Sequence, residues 1–307
     1  MPELPEVEVV RAGLAPAVTG AVVSAVEVLE PRSLKRHDAA SGDFEALLTG
    51  ARIEAAVRRG KFLWLPLSGD ERRSGRAVVG HLGMSGQMLL RTPDHPSTDA
   101  HARVRLHLEH AEHGELRVDF VDQRIFGSLA IDRLVPTADG EVGGFSDGVS
   151  GEWARQVPAQ VAHIARDPLD PAFSDRAFFA ALAKRGTAIK RVLLDQGVVS
   201  GIGNIYADES LWAVRLHGGQ PARSLSRRRA RDLLGAVREV LGKALAEGGT
   251  SFDAQYVNVN GASGTSQANL NVYGRQGLPC KRCGAQIVRE RFMNRSSHFC
   301  RSCQRKR

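Results

Sequence analysis

The sequence contains no apolar run near the roughly 20 residues that a membrane-spanning helix needs, and no cysteine before position 280. It also lacks a cationic and then apolar leader: MPELPEVE places acids and prolines where a secretory signal would begin. The first absence argues against an integral membrane protein, and the leader's absence points to the cytoplasm. In that compartment the thiols are not expected to form a disulfide scaffold. The end of the chain is short of acids: from Arg275 to Arg307 ten Lys or Arg face a single acid, Glu290. That stretch therefore carries +9 of a chain total of +8, so the excess cation is local. A basic end of this kind suggests a polyanionic partner, most often nucleic acid. At 307 residues, 42% hydrophobic and 25% charged, the chain has the length and composition for two globular domains with ordinary cores.

The four cysteines form two matched pairs, Cys280-Lys-Arg-Cys283 and Cys300-Arg-Ser-Cys303. Two such knuckles supply four soft ligands at tetrahedral corners, which is the donor set of a structural zinc ion. Four thiolates leave no open coordination position, so the metal is expected to organise structure and not to catalyse. Residues 286–290 and 295–299 between the knuckles have the pattern of the two strands of a zinc ribbon. His101, His107, His110 and His113 make a second histidine-rich neighbourhood, but they fall on solvent-facing alternations and in a turn, and are read as solvated polar residues.

Upstream, residues 21–29, 52–58, 61–67, 77–82, 86–91, 102–108 and 115–121 are short β-branched or alternating segments separated by Gly, Pro, Asp and Ser, the pattern of an antiparallel sandwich or barrel. A helix is expected from Glu6 to Val18 after Pro5, with Val7, Val10 and Leu14 on one face. Residues 137–151 are rich in Gly, Asp and Ser and read as a linker, with a domain boundary near or shortly after them. Beyond it the period becomes helical over 174–184, 187–196, 204–214 and 226–247. Between two of these helices, GVVSGIGNIYADE leaves glycine amides bare before a helix start at Asn204; such a turn can receive a phosphate or be only a tight turn.

PELPEVE, RRGKFLWL, HLGMSGQM, DQRIFG, GIGNIYADE and the four-cysteine end resemble, in this order along essentially the whole chain, the formamidopyrimidine-DNA glycosylase family of bacteria. That resemblance implies an α+β multidomain fold: an N-terminal antiparallel β-sandwich with flanking helices over 1–150, a helix-two-turn-helix DNA-binding domain over 151–274, and a zinc ribbon over 275–307. It implies a monomeric, bifunctional DNA glycosylase and abasic-site lyase. The enzyme would act on double-stranded DNA carrying oxidised purines such as 8-oxoguanine, or abasic sites, in the bacterial cytoplasm, and hold one structural zinc ion.

The resemblance also implies roles for residues. Pro2, freed by removal of Met1, would be the nucleophile; an α-amino group titrates near about 8, so a usable fraction is neutral near neutral pH. Glu3 would protonate the opening sugar ring, and Glu6 would support the N-terminal strand. Lys61 would hold a phosphate beside the lesion, and His81, Asn204 and Arg295 would grip the backbone around the extruded nucleotide. Met84, Arg124 and Phe126 would fill the vacated stack, with Arg124 facing the orphaned cytosine. Glu8 is read as ordinary helical surface. Two departures stand out: Ile125 replaces the second arginine many members carry before that Phe, and Thr265 and Ser266 stand where a Gly-Tyr-Phe often follows in the loop that caps the flipped base. An endonuclease VIII-like enzyme for oxidised pyrimidines and a catalytically silent DNA-binding module are the alternatives. PELPEVE in place of PEGPE, together with DQRIFG, argues against the first; Pro2, Glu3 and Lys61 together argue against the second.

Overall fold

A computed structural model of the chain describes residues 2–249, 259 and 269–306. The loop departure at Thr265 and Ser266 lies outside these residues. The chain divides into two compact units. The first holds Pro2, residues 6–163 and Val259; the second holds residues 3–5, 164–249 and 269–306. Among the described residues, no helix is long and apolar enough to cross a membrane.

The first unit is built on ten antiparallel strands: β1 (Val22–Val28), β2 (Arg52–Ile53), β3 (Val57–Arg59), β4 (Phe62–Ser68), β5 (Arg76–His81), β6 (Gly86–Arg91), β7 (Ala102–His110), β8 (Gly114–Asp122), β9 (Ser128–Pro136) and β10 (Gln156–Pro158). They run in the order β10-β9-β5-β4-β2-β1-β7-β8-β6, with β3 added on β4. Side chains from both halves of this path, such as Leu63, Leu65, Val78 and Ile131 on one and Val104, Leu106, Val118 and Phe120 on the other, share one core, as a two-layer sandwich requires. Helix α1 (Leu4–Val18) adds Val7, Val10 and Leu14 to it, and the short α2 (Phe44–Leu48) adds Phe44 and Leu48. Each such side chain contributes roughly 1.5–3 kcal/mol when fully buried.

Residues 137–151 do not form the expected linker. Phe145 bridges to the backbone of Arg58 in both directions, at 2.9 and 2.8 Å, and Arg59 Nε donates to the Gly143 carbonyl at 2.7 Å. The segment is thus pinned to the sheet, and β10 beyond it pairs with β9, so the second unit begins at Ile164 and not near 151.

The second unit contains α3 (Asp175–Ala183), α4 (Ile189–Leu193), α5 (Asn204–Ala213), α6 (Arg227–Ala246) and the hairpin β11 (Ile287–Phe292) with β12 (Arg295–Cys300). Ser174 and Ser226 cap α3 and α6 by accepting from the amides of Ala177 and Arg229. The apolar stripe of α6, with Leu233, Leu234, Val237 and Leu241, packs on Ile189, Val192, Ile205 and Leu211. The hairpin folds with these helices: the Asp208 carboxylate on α5 receives the His298 amide at 2.8 Å and the Ser297 hydroxyl at 3.2 Å.

Candidate functional site

In the first unit, Lys61 lies in the turn joining β3 to β4, and the register Phe62↔His81 sets the end of β5 beside it. The His81 ring tilts against Phe62 at a centroid separation of 4.9 Å. Burial, followed by the nearby charges of Arg36, Lys61 and Lys35, drives the His81 pKa down to about 4. It is therefore neutral near neutral pH. Its Nδ1 accepts from the Gly83 amide at 3.2 Å, which puts the remaining proton on Nε2. The site thus offers one neutral N–H donor among three cations, a set suited to an anionic backbone.

Two turns next to His81 carry the residues expected to fill the DNA stack. Met84 sits at the turn between β5 and β6 and is 38% exposed; Phe126, between β8 and β9, is 45% exposed. Exposed Arg124 lies over the Phe126 ring with its guanidinium carbon 4.6 Å from the centroid, a cation–π contact. The turns touch through backbone: a Cβ on Gly83, whose φ is +64°, would come within 2.5 Å of the Phe126 carbonyl carbon and the Gly127 amide. The fully buried Asp122 carboxylate joins them, accepting from the Ser85 hydroxyl, from the Arg124 amide at 3.2 Å and from the Gly127 amide at 2.7 Å. Ile125 takes a φ of 54°, a left-handed conformation that costs a β-branched residue roughly 1–3 kcal/mol. Lys35 Nζ binds the carbonyls of Ile125 and Phe126 at 2.8 and 3.1 Å and helps hold that strained tip.

Pro2 and Glu6 are buried, Glu6 in the first turn of α1. In the second unit, Glu3 is 2% exposed and caps α5 from a distance: its carboxylate accepts from the amides of Gly203 at 2.6 Å, Ile205 at 2.8 Å and Tyr206 at 3.3 Å. With the Gly201 amide on Gln196 Oε1 and the Gly197 amide on Asp195 Oδ1, both at 3.0 Å, the glycine amides that could have taken a phosphate are occupied. The glycine has a different purpose, since a Cβ on Gly203 would meet the Glu3 carboxyl carbon at 2.4 Å.

Asn204, the first residue of α5, donates from Nδ2 to the Ser296 carbonyl at 2.9 Å, while its Oδ1 is buried without a partner among the described residues. Lys190 Nζ donates to the same carbonyl at 3.0 Å and pairs with Asp208 at 2.6 Å. Burial lowers the Lys190 pKa, against the pull of Asp208. These contacts fix the strand that begins with exposed Arg295, just past the two-residue turn Met293-Asn294.

The Sγ atoms of Cys280, Cys283, Cys300 and Cys303 all lie within 4.8 Å of one another. Tetrahedral zinc with Zn–S bonds of about 2.3 Å needs S···S edges of about 3.8 Å, so the thiols fit such an ion. Trp212 Nε1 donates to Cys280 Sγ at 3.4 Å. Arg282, inside the first knuckle, lies 4.0 Å over the Trp212 ring and donates to the carbonyls of Trp212 and Ala213 that end α5.

Three family descriptions match this chain: Formamidopyrimidine-DNA glycosylase N-terminal domain over residues 1–129, Formamidopyrimidine-DNA glycosylase H2TH domain over 164–255, and Zinc finger found in FPG and IleRS over 277–305. The formamidopyrimidine-DNA glycosylase of Leifsonia xyli is 65% identical over 305 residues, spanning 99% of this chain and 100% of that protein. The chain belongs to the formamidopyrimidine-DNA glycosylase family. The Salinispora arenicola enzyme of the same name is 53% identical over 99% of this chain and 96% of its own length. Among solved structures, the MutM (Fpg) protein of Thermus thermophilus superposes with a TM-score of 0.76 at 36% identity, covering 100% of both chains. The complex of Lactococcus lactis Fpg with abasic-site DNA gives 0.78 at 28% identity, covering 99% of this chain and 100% of that one.

The protein is accordingly a DNA glycosylase of base excision repair. Its zinc-finger match and convergent thiols assign it one structural zinc ion.

Sequence reasoning about this glycosylase missed one cluster. Glu8 is not surface: it is 9% exposed and accepts from Arg11 Nε at 2.9 Å and Arg58 Nε at 2.7 Å. Arg11 also pairs with Asp147 at 3.0 Å, and the Arg11 and Arg58 guanidiniums approach the Phe145 ring at 5.2 and 6.0 Å. No local sequence pattern marked it: the first turns of α1 are buried nearly all round, so its polar residues need partners that only the tertiary structure brings.

Proposed function

We propose that the enzyme removes oxidised purines from duplex DNA and then cuts the strand at the resulting abasic site, with the Pro2 amine as nucleophile. The Pro2 nitrogen forms a bond to the sugar's anomeric carbon as the glycosidic bond breaks, and the base leaves with a proton. Protonation of the ring oxygen then breaks the C1′–O4′ bond and leaves an iminium on the opened sugar, which acidifies the neighbouring C–H, so that the 3′ and then the 5′ phosphate are eliminated. Glu3 is the proton donor to the ring oxygen, and Glu6 supports the segment that carries it. Lys61, neutral His81, Asn204 and Arg295 hold phosphates, while Met84, Arg124 and Phe126 occupy the space the base leaves. The four cysteines keep the ribbon folded around zinc, and so hold Arg295 for DNA. The enzyme acts as a monomer in the bacterial cytoplasm, at the nucleoid.

The observation that carries this reading is the pair of joined turns. They expose a methionine, an arginine and a phenylalanine at tips that contribute nothing to the core, as a wedge for an everted base demands. Two experiments test it. Borohydride reduction during turnover of an 8-oxoguanine duplex is expected to trap a covalent complex whose peptide map places the adduct on Pro2; an adduct on Lys61 would refute the nucleophile. Parallel excision from duplexes with 8-oxoguanine, a ring-opened purine or an oxidised pyrimidine is expected to favour the two purines, and faster release of the pyrimidine would refute the preference.

A further inference from the structure

We propose that Asp122 is a positioning residue for base eversion, holding the Met84 turn and the Arg124–Phe126 turn together so that they enter the duplex as one body. The inference rests on the reading of Met84, Arg124 and Phe126 as the groups that fill the vacated stack, and adds what sets their geometry. Asp122 ends β8, paired with Gly86 at the start of β6, so its side chain sits where the two turns meet. Its carboxylate is fully buried, and its three donors come from both turns: the Ser85 hydroxyl beside Met84, and the amides of Arg124 and Gly127 on either side of Phe126.

Local conformational preference works against the shape of the second turn. Ile125 lies in a left-handed conformation that its branched side chain disfavours, and Arg124 and Phe126 are exposed, with little packing to fix them. Lys35 holds the carbonyls of Ile125 and Phe126, and Asp122 holds the amides of Arg124 and Gly127. Of these two anchors, only Asp122 also reaches the Met84 turn, through Ser85. The backbone contact at Gly83 makes the turns close-packed, and the carboxylate sets their register. A wedge works only if its members arrive together, because a partly inserted residue leaves the stack open to the base's return.

The test compares Asp122→Asn and Ser85→Ala with the wild-type protein in single-turnover cleavage of three substrates. These are 8-oxoguanine opposite cytosine, 8-oxoguanine opposite adenine, and a single-stranded oligonucleotide with a preformed abasic site. The amide cannot accept from all three donors, so Asp122→Asn is expected to lower the cytosine-to-adenine preference and the ratio of duplex to single-strand rate, each by about tenfold. Ser85→Ala removes one donor and is expected to lower both ratios by about threefold. A general loss of folded protein would lower all three rates together and leave the ratios unmoved. A folded Asp122→Asn protein with both ratios within about twofold of wild type overturns the proposal; if that variant does not fold, unchanged ratios in Ser85→Ala overturn it. A wild-type protein that shows no preference for cytosine would refute instead the underlying reading of Arg124.

Discussion

His81 is uncharged near neutral pH because its surroundings penalise the proton twice, through burial and through the cations of Arg36, Lys61 and Lys35. Its pKa falls from 6.5 to about 4, so between those values the unfolded chain binds a proton that the folded one does not. Stability on this account is fully present above the unfolded value and is lost as pH drops from 6.5 towards 4. Between about pH 7 and pH 5 the loss amounts to up to about 2 kcal/mol. Urea unfolding at both pH values is expected to show that loss in the wild-type protein and to show it reduced by the same amount in His81→Gln. Equal pH dependence in the two proteins would mean that His81 titrates normally. The same neutrality bears on function, since an imidazole whose Nδ1 accepts from Gly83 can only donate to DNA. Cationic attraction is left to its neighbours.

At the scale of elements, α1 and α5 show what sequence patterns reveal and what they hide. Helices α3 and α6 were legible from the helical period of their segments, and the ribbon hairpin from its paired knuckles, because each signal is local. The strand β9 was missed although SLAIDRLVP alternates, since the adjoining Gly-rich stretch suggested a linker where the chain in fact folds back on Arg58. For the site, motif residues such as Lys61, Arg124 and Arg295 could be named in advance. Their supports could not, because Glu3 reaches residues about two hundred positions away and Glu8 meets Arg58 across fifty. Such pairings depend on tertiary structure and leave no periodic trace.

The Glu8 cluster gives a measurable case. Removing one carboxylate takes a charged partner from two guanidiniums that are each 2–3% exposed, Arg11 keeping the more open Asp147 and the Ala56 carbonyl, and Arg58 the Gly60 carbonyl. Breaking a buried pair this way costs about 3–5 kcal/mol. Glu8→Ala is therefore expected to lower the denaturant midpoint by that equivalent. In a double-mutant cycle, Glu8→Ala and Arg58→Met should cost clearly less together than the sum of the two separately. Additive losses would show that the ion pair contributes nothing.

Across the whole molecule, charge is distributed so that one end carries the excess, with +9 between Arg275 and Arg307 in a chain of +8. Much of that charge stands clear of the ribbon surface: Lys281, Arg289, Arg291, Arg295 and Arg301 are all exposed. They can be presented to a duplex only if the hairpin keeps its shape, and the four thiols, converging within 4.8 Å, would repel one another as thiolates without zinc between them. On the proposed reading the metal would act on DNA affinity through geometry, by holding Arg295 at the start of β12 while Asn204 and Lys190 anchor the next carbonyl. Counterion release makes the consequence quantitative, since each phosphate contact contributes about −0.9 to the slope of log K against log salt. Arg295→Ala is expected to weaken binding to lesion and undamaged duplexes alike and to flatten that slope by about one. Stripping zinc with a chelator is expected to flatten it further, because the whole set of ribbon cations loses its arrangement. Fluorescence anisotropy titrations over a range of salt concentrations read both effects. A zinc-free protein with the slope of the intact enzyme would show that the ribbon makes no phosphate contact and that the charge at this end of the chain only steers.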